Sequence, residues 1–217
     1  RYSGTFAERV RVPADNLIPL PAGFTFEQAS CLPTAYLTAY RMLTTKASAT
    51  AGQTILVQGA GGGVATAAIV LGKAMGCRVW VTSRDEQKGE WAVGIGADEA
   101  FPTGARLPDK VDAVIETVGE ATWDHSLKSL RPGGIIVVSG ATSGPMPPAQ
   151  LNRVFFLQLT VAGSTMGTAE EFRQLIDLMS LQQISPIIDR TLPMTDAREG
   201  FAAMNEGTVR GKIVLTR

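Results

Sequence analysis

The sequence has 217 residues, of which 45% are hydrophobic, enough for the core of one large α/β domain or of one domain and part of another. Its 20 basic residues balance its 20 acidic residues, so no excess positive field is available to hold nucleic acid or an anionic membrane. We therefore expect the partners to be small molecules or other protein chains, with no nucleic acid and no membrane.

The two cysteines, Cys31 and Cys77, lie far apart in the sequence and lack the spacing of a zinc cluster or a disulfide scaffold. This cysteine usage fits a reducing cytoplasm. No stretch approaches the ~20 consecutive apolar residues of a membrane span, and we expect no signal peptide. The first residue is an arginine and a strand-like run follows at once, so we expect the sequence to start within a larger polypeptide.

The first part of the chain carries weak signals. Residues 6–12 alternate roughly between apolar and polar, which predicts a strand, and three prolines then predict an extended loop up to about residue 25. A helix is expected over about 26–43, broken near Pro33.

From residue 54 onwards, short apolar strands alternate with helices. Strands are predicted at 54–58, 78–82, 99–101, 111–116 and 134–139, with helices at 64–75, 86–93 and 123–130. Further on come a strand at 159–164, a helix at 169–179 that begins in a capping box of Thr168 and Glu171, a helix at 196–204 and a strand at 212–216. Parallel strands need crossover connections, so the pattern predicts an α/β fold with a doubly wound parallel sheet, the Rossmann type.

The sharpest signal is the run Gly59-Ala60-Gly61-Gly62-Gly63-Val64-Ala65, where a predicted strand passes into a helix. Glycines let the backbone approach a pyrophosphate, and the helix N-terminus offers unpaired N–H groups and the positive end of its dipole. Such a run can also be a flexible turn, but the strand before it, the helix after it and a second strand about twenty residues later favour a dinucleotide site. Ala65 replaces the third glycine of the fingerprint, which tolerates alanine there.

The end of the second predicted strand, Thr82-Ser83-Arg84, bears on the choice between NAD and NADP. NAD enzymes usually place an acid there to hold the adenosine ribose, whereas this chain presents a hydroxyl and a guanidinium. Arg84 can pair with a 2'-phosphate and Lys88 could add a second positive charge, so the pattern favours NADPH, with NADH the less favoured cofactor. The aspartate after Arg84 argues against this. In the alternative, Ser83 caps the next helix in a box with Glu86 and both cations are solvated.

Five segments also carry a family resemblance: Cys31-Leu32-Pro33-Thr34-Ala35-Tyr36-Leu37-Thr38-Ala39-Tyr40, the glycine run, Val114-Ile115-Glu116-Thr117-Val118-Gly119, Leu130-Arg131-Pro132-Gly133-Gly134 and Gly211-Lys212-Ile213-Val214-Leu215. They resemble the medium-chain dehydrogenase/reductase superfamily, and within it the quinone oxidoreductase-like members rather than the zinc alcohol dehydrogenases. The resemblance implies a two-domain enzyme whose mainly β catalytic domain comes mostly from an N-terminal third that is absent here.

That resemblance implies that the chain divides into three segments. Residues 1–30 are the tail of the catalytic, GroES-like domain, residues 31–170 the Rossmann domain, and residues 171–217 the C-terminal helices and strand that return to the catalytic domain. The catalytic residues supplied by the absent portion cannot be named.

The resemblance also implies which residues contact the cofactor. At the nicotinamide, the pyrophosphate and the riboses, these are Thr38, Gly61, Gly62, Gly63, Val64, Thr117, Val118, Gly140, Ala141 and Lys212. In the plainer alternative, Thr38 bonds a helical carbonyl while Val118 and Ala141 belong to the core, and the final lysine is a surface charge.

Zinc ligands are scarce in this sequence. Catalytic zinc takes about three Cys, His or carboxylate ligands, and the chain offers two separated cysteines and His125, which we interpret as buried thiols and a helix-surface or capping residue. In zinc-dependent members of the superfamily, a ligand cysteine stands four residues before the threonine that matches Thr38. Here that residue is Thr34, so the resemblance implies no metal.

The leading interpretation is a metal-independent, NADPH-dependent oxidoreductase that transfers hydride to a quinone or an α,β-unsaturated carbonyl, with this fragment alone inactive. The alternatives are a zinc-dependent alcohol dehydrogenase and, in another class, a non-enzymatic NADPH-binding or interaction module. Leu157, Leu159 and Val161 on alternate positions mark Leu159 to Ser164 as a candidate edge strand, at which the family pairs subunits, and we expect a homodimer there.

Overall fold

The computed structural model describes residues 4–217, which form two parallel sheets flanked by helices. The larger sheet contains β1 (Thr54–Gln58), β2 (Arg78–Ser83), β3 (Glu99–Pro102), β4 (Val111–Glu116), β5 (Leu130–Val138) and β6 (Thr160–Gly163). Its order is β3-β2-β1-β4-β5-β6, with every neighbouring pair parallel. This is the doubly wound Rossmann arrangement, so the predicted fold is confirmed.

The helices of the described residues are α1 (Phe26–Cys31), α2 (Leu37–Arg41), α3 (Gly63–Ala74), α4 (Glu86–Gly94), α5 (Glu120–Ser129), α6 (Leu151–Phe156), α7 (Ala169–Leu181) and α8 (Ala197–Glu206). Short 3-10 turns lie at Ala14–Asn16 and Met194–Asp196. The smaller sheet pairs β7 (Ile188–Pro193) with β8 (Lys212–Thr216). None of the helices within 4–217 has the length and apolar character needed to cross a bilayer.

The N-terminal part differs from its predicted structure. The expected strand over 6–12 is not formed: this segment is irregular, and Phe6 is 65% exposed. A strand needs a neighbouring strand to pair with its backbone groups, and no strand of the described residues pairs with this segment. Its carbonyls at Ala7 and Glu8 accept from the Arg217 side chain. The expected helix over 26–43 runs on to residue 46 and passes Pro33 in a π-helical segment, Leu32–Tyr36, instead of breaking. The wider turn accommodates the proline ring and its missing N–H.

Two elements carried no recognisable signal. Helix α6 has only six residues, and its large apolar side chains Leu151, Phe155 and Phe156 are exposed, so no amphipathic periodicity marks it. Strand β7 includes charged Asp189 and Arg190, which interrupt the expected alternation. Strand β6 is the outer strand of its sheet, and a homodimer through that edge stays a prediction.

Close packing between α3 and β1 sets the geometry of the sheet edge. All five residues of β1 are buried, and a Cβ on Gly72 of α3 would lie only 2.7 Å from the Ile55 Cδ1 atom. Buried alanines occupy the same helix, which therefore lies very near the strand. The N-terminus of α3 is held beside the carboxyl end of β1 as a result.

A buried ion pair fastens α7 to the N-terminal helical region. The carboxylate of Glu171, which is 9% exposed, lies 2.5 Å from the Arg41 guanidinium and accepts hydrogen bonds from the Thr45 hydroxyl and the Thr168 backbone N–H. Burial alone would raise the pKa of Glu171, but the hydrogen bonds from Thr45 and Thr168 and the charge of Arg41 lower it to about 2. The predicted capping box of Thr168 and Glu171 is confirmed.

This lowered pKa predicts a pH-dependent contribution to stability. A carboxyl group whose pKa falls from 4.5 to about 2 on folding stabilises the chain above about pH 4.5 and loses that contribution as the pH falls towards 2. We expect Glu171→Gln to lower the free energy of unfolding by roughly 2–3 kcal/mol at pH 7 and by much less near pH 2. Urea unfolding at both pH values measures this, with the exposed neighbour Glu170→Gln as control. Equal losses at the two pH values would contradict the prediction.

Candidate functional site

Most of the predicted site residues meet at one edge of the large sheet. Strands β1 and β4 are neighbours, and the chain leaves them towards opposite sides, so their carboxyl ends border the crevice in which open α/β sheets bind ligands. The glycine loop follows β1, and residues 117–119 follow β4. The two loops touch, because the Val118 Cγ2 atom is 3.7 Å from the position that a Cβ on Gly59 would take.

The glycine loop leaves the first amides of α3 uncapped. The helix begins at Gly63, and Gly62 is its N-cap, with φ −73° and ψ 155° and no side-chain hydrogen bond to the helix. The first N–H groups of an α-helix have no partner within the helix, and here no cap side chain replaces one. These N–H groups and the positive end of the helix dipole together form an anion-binding position.

The C-terminal segment lies directly against this loop. The Gly211 N–H donates to the Gly61 carbonyl at 2.9 Å. A Cβ on Gly63 would lie 2.7 Å from the Lys212 Cδ atom and 3.3 Å from the Ala35 Cβ atom, so the Lys212 side chain packs closely over this glycine. Lys212 makes no ion pair with any residue of 4–217. Its positive charge therefore stands uncompensated beside the start of α3.

Lys88 is also beside the glycine loop, where it contacts backbone. Its ammonium donates to the carbonyls of Gly207 and Val209, the latter at 3.2 Å, and lies 3.0 Å from where a Cβ on Gly61 would be. The ammonium therefore connects the C-terminal segment to α4 beside the glycine loop. A contact of Lys88 with a 2'-phosphate stays a prediction.

Arg84 and Ser83 stand at the carboxyl end of β2. Arg84 is exposed and has no ion pair within the described part of the chain. The Ser83 hydroxyl donates to the Asp85 carbonyl at 2.7 Å, and the Asp85 side chain accepts from the Lys88 N–H at the start of α4. The helix cap is therefore Asp85, and the alternative box of Ser83 with Glu86 is wrong.

The remaining predicted residues lie at the other side of the crevice. Thr117 is half-buried, and its carbonyl oxygen is 2.8 Å from where a Cβ on Gly140 would be, so the loops after β4 and β5 are in contact. Ala141 is exposed and packs by its Cα against Gly119. Thr38 is 6% exposed within α2, and its contact with a nicotinamide stays a prediction.

Sequence reasoning missed a buried polar network beneath these loops. Gln58, Thr82 and Glu116 are fully buried, and they stand at or next to the carboxyl ends of three neighbouring apolar strands. A polar residue at the same end of several buried strands is the signal that could have revealed it. His125 is half-buried on α5 and joins this network: its Nδ1 accepts from the Gln58 amide at 3.0 Å, and its Nε2 contacts the Ala105 carbonyl at 2.8 Å.

The cysteines are buried free thiols, as expected. Burial raises the pKa of Cys31, while the charge of Lys212 acts in the opposite direction, and burial also raises the pKa of Cys77. Within residues 4–217 there is no group of three or more His, Cys, Asp or Glu that could hold a metal ion.

Comparison with known proteins gives relatives along the whole chain. A family model described as zinc-binding dehydrogenase matches residues 63–181. The zinc-type alcohol dehydrogenase-like protein YogA of Leptosphaeria maculans is 34% identical over 90% of this chain and 60% of its own length. Acryloyl-coenzyme A reductase of Metallosphaera sedula is 31% identical over 98% of this chain and 65% of its own length. Quinone oxidoreductase of Mus musculus is 30% identical, with 98% and 70% covered.

Solved structures agree on the fold. A crystal structure of an NAD-dependent alcohol dehydrogenase superposes with a TM-score of 0.90 at 33% identity, covering 99% of this chain and 65% of that one. The 2-octenoyl-CoA carboxylase reductase CinF, in complex with NADP and 2-octenoyl-CoA, gives 0.86 at 25% identity, covering 94% and 52%. This chain thus spans about two thirds or less of the first relatives and structures that it matches.

The family model covers more than half of the chain, and the solved structures of alcohol dehydrogenases share its fold. The chain belongs to the zinc-binding dehydrogenase family, within the medium-chain dehydrogenase/reductase superfamily that its sequence resembles.

Proposed function

We propose that this chain is the cofactor-binding part of an NADPH-dependent oxidoreductase that reduces a quinone or an α,β-unsaturated carbonyl compound without a metal. One observation carries the proposal: the uncapped N-terminus of α3 opens at the sheet crevice between the glycine loop and Lys212, which has no ion pair within 4–217. Backbone donors, a helix dipole and a cation at one point suit a diphosphate.

The residues of this chain bind and orient the cofactor. The amides at the start of α3 hold the diphosphate, and Lys212 offsets its negative charge. The turn 117–119 receives a ribose, and Gly140 lets the loop after β5 approach the same turn. NADPH supplies the hydride when bound, so the protein contributes binding, orientation and exclusion of water.

The substrate class rests on the relatives. One similar protein is named acryloyl-coenzyme A reductase and another quinone oxidoreductase, and both names denote conjugated electron acceptors. Hydride addition to such an acceptor builds negative charge on an oxygen, which needs a hydrogen-bond donor. We assign that donor to the portion of the relatives that this chain does not span. Oxidation of NADPH by the intact polypeptide in the presence of an enone would exclude a purely binding role.

Introducing a carboxylate at Gly62 tests the anion-binding position. A Cβ on Gly62 would meet no atom within 4 Å, its φ suits any residue, and aspartate is a good N-cap. We expect Gly62→Asp to keep or raise the melting temperature and to weaken NADPH binding by at least ~100-fold, because the carboxylate occupies the phosphate position. Calorimetric titration measures binding, and Gly62→Ala, which adds bulk without charge, should weaken it far less. Full NADPH affinity in a folded Gly62→Asp variant would refute the site.

Arg84 tests the choice between NADPH and NADH. Arg84 is exposed at the end of β2, where the adenosine ribose is expected, and it forms no ion pair with the described residues. We expect Arg84→Ala to weaken NADPH about tenfold or more and NADH by less than about threefold, since only NADPH carries the 2'-phosphate. Parallel titrations with both cofactors compare them, and Arg173→Ala, which changes an exposed arginine in α7, serves as control. Equal losses for the two cofactors would count against this pocket.

The second candidate function is a zinc-dependent alcohol dehydrogenase, which the names of one relative and one solved structure favour. All its metal ligands would then lie in the portion that this chain does not span. Metal analysis of the intact polypeptide separates the two functions. We expect less than about 0.1 zinc per polypeptide. One tightly bound zinc ion per polypeptide would favour the zinc-dependent alcohol dehydrogenase over the metal-independent reductase.

A further inference from the structure

A carboxylate is buried beneath the candidate site without a cation. Glu116, the last residue of β4, has no exposed surface. Its Oε1 accepts from the backbone N–H groups of Val118 at 2.8 Å and Gly119 at 3.0 Å. Its Oε2 accepts from the hydroxyls of Thr122 at 2.9 Å and Ser126 at 2.6 Å. No residue of 4–217 forms an ion pair with it, so these donors alone compensate its burial.

Hydrogen bonds connect this carboxylate to the glycine loop. The Gly59 N–H donates to the Thr82 hydroxyl at 3.3 Å, which donates to the Gln58 Oε1 at 2.6 Å. The Gln58 Nε2 donates to the Ser126 oxygen at 2.9 Å, and that hydroxyl donates to Glu116. Each hydroxyl has one proton and gives it towards Glu116. The protons of the network are therefore oriented towards Glu116.

The turn 117–119 is also fastened to the loop after β5. The Val118 carbonyl accepts from both the backbone N–H and the hydroxyl of Ser143, each at 2.8 Å. Gly119 has φ +92°, and a Cβ there would lie 2.6 Å from the Gly144 carbonyl oxygen. The turn therefore has little room to change its shape while its amides remain bonded to Glu116.

We propose that Glu116 is a positioning residue: from beneath, it holds the turn 117–119 in the conformation that receives a ribose and couples this turn to the glycine loop. The role rests on the proposed dinucleotide binding. Glu116 itself is fully buried below the turn, so it acts through the turn and not by touching a cofactor. Its contribution is the geometry of the two amides and, through Ser126 and Gln58, the shared position of the loops after β1 and β4.

Two substitutions of similar size separate hydrogen bonding from packing. Glu116→Met fills the space but accepts no strong hydrogen bond from the two amides, whereas the amide oxygen of Glu116→Gln still accepts from both. Calorimetric titration of the full chain with NADPH should show a dissociation constant raised at least about tenfold by methionine and by no more than about threefold by glutamine. A glutamine variant as weak as the methionine variant overturns the role.

Hydrogen exchange measured by NMR reports the turn directly. In Glu116→Met, we expect the amides of Val118 and Gly119 to exchange at least about tenfold faster, with those of Ile55 and Leu56 in β1 unchanged. Faster exchange throughout the sheet would show a general loss of stability and overturn a local role.

The outcomes distinguish this role from the proposed function. A wild-type chain that binds no dinucleotide overturns the proposed function itself. Wild-type binding together with equal NADPH affinity in folded Glu116→Met overturns the positioning role alone. If the methionine variant does not fold, hydrogen exchange in the wild-type chain tests the role. Amides of Val118 and Gly119 that exchange as fast as the amide of the exposed loop residue Arg106 would overturn it. Exchange at least about tenfold slower than that of Arg106 would support it.

Discussion

The contact between α3 and β1 is the constraint on which the candidate site depends. The helix can lie this close to the strand because Gly72 has no side chain where it meets Ile55. The short glycine loop must then connect two elements that almost touch, and Gly59 adopts φ +88° to do so. Uncapped helix amides at the sheet crevice follow from this packing, since no side chain of the loop reaches back to them.

Distant parts of the chain complete the site around this loop. Lys88 in α4 binds the carbonyls of the C-terminal segment, the Gly211 N–H binds Gly61, and Lys212 then passes over Gly63. The smaller sheet thus contributes more than a scaffold, because β8 begins at Lys212. The hydrogen bond from Gly211 to Gly61 connects the start of β8 to the glycine loop after β1, so the segment after β6 contributes to the candidate site.

Local signals predicted much of this structure. Strands β1, β4 and β8 have the predicted bounds, because each is a short segment rich in valine, isoleucine and leucine. What the sequence could not supply were partners. The role of Lys88 depends on carbonyls more than a hundred residues away. The role of Glu116, the last residue of β4, becomes visible only when Ser126 and Gln58 lie beside it in the fold. The π-helical passage of Pro33 likewise depends on packing that no local propensity encodes.

The charged groups around the crevice lie in two places, one negative and one positive, and they are compensated differently. Below the turn 117–119, the Glu116 carboxylate is satisfied by four donors, so its negative charge is spread into amides and hydroxyls and is not balanced by a cation. Beside the loop, Lys212 and the start of α3 carry positive charge that no acidic residue of 4–217 pairs with. The buried carboxylate therefore needs no lysine or arginine of 4–217 beside it, and its donors include the two amides of the turn. The positive charge beside the loop is likewise not used by an acidic residue of 4–217, so it is available to an anion.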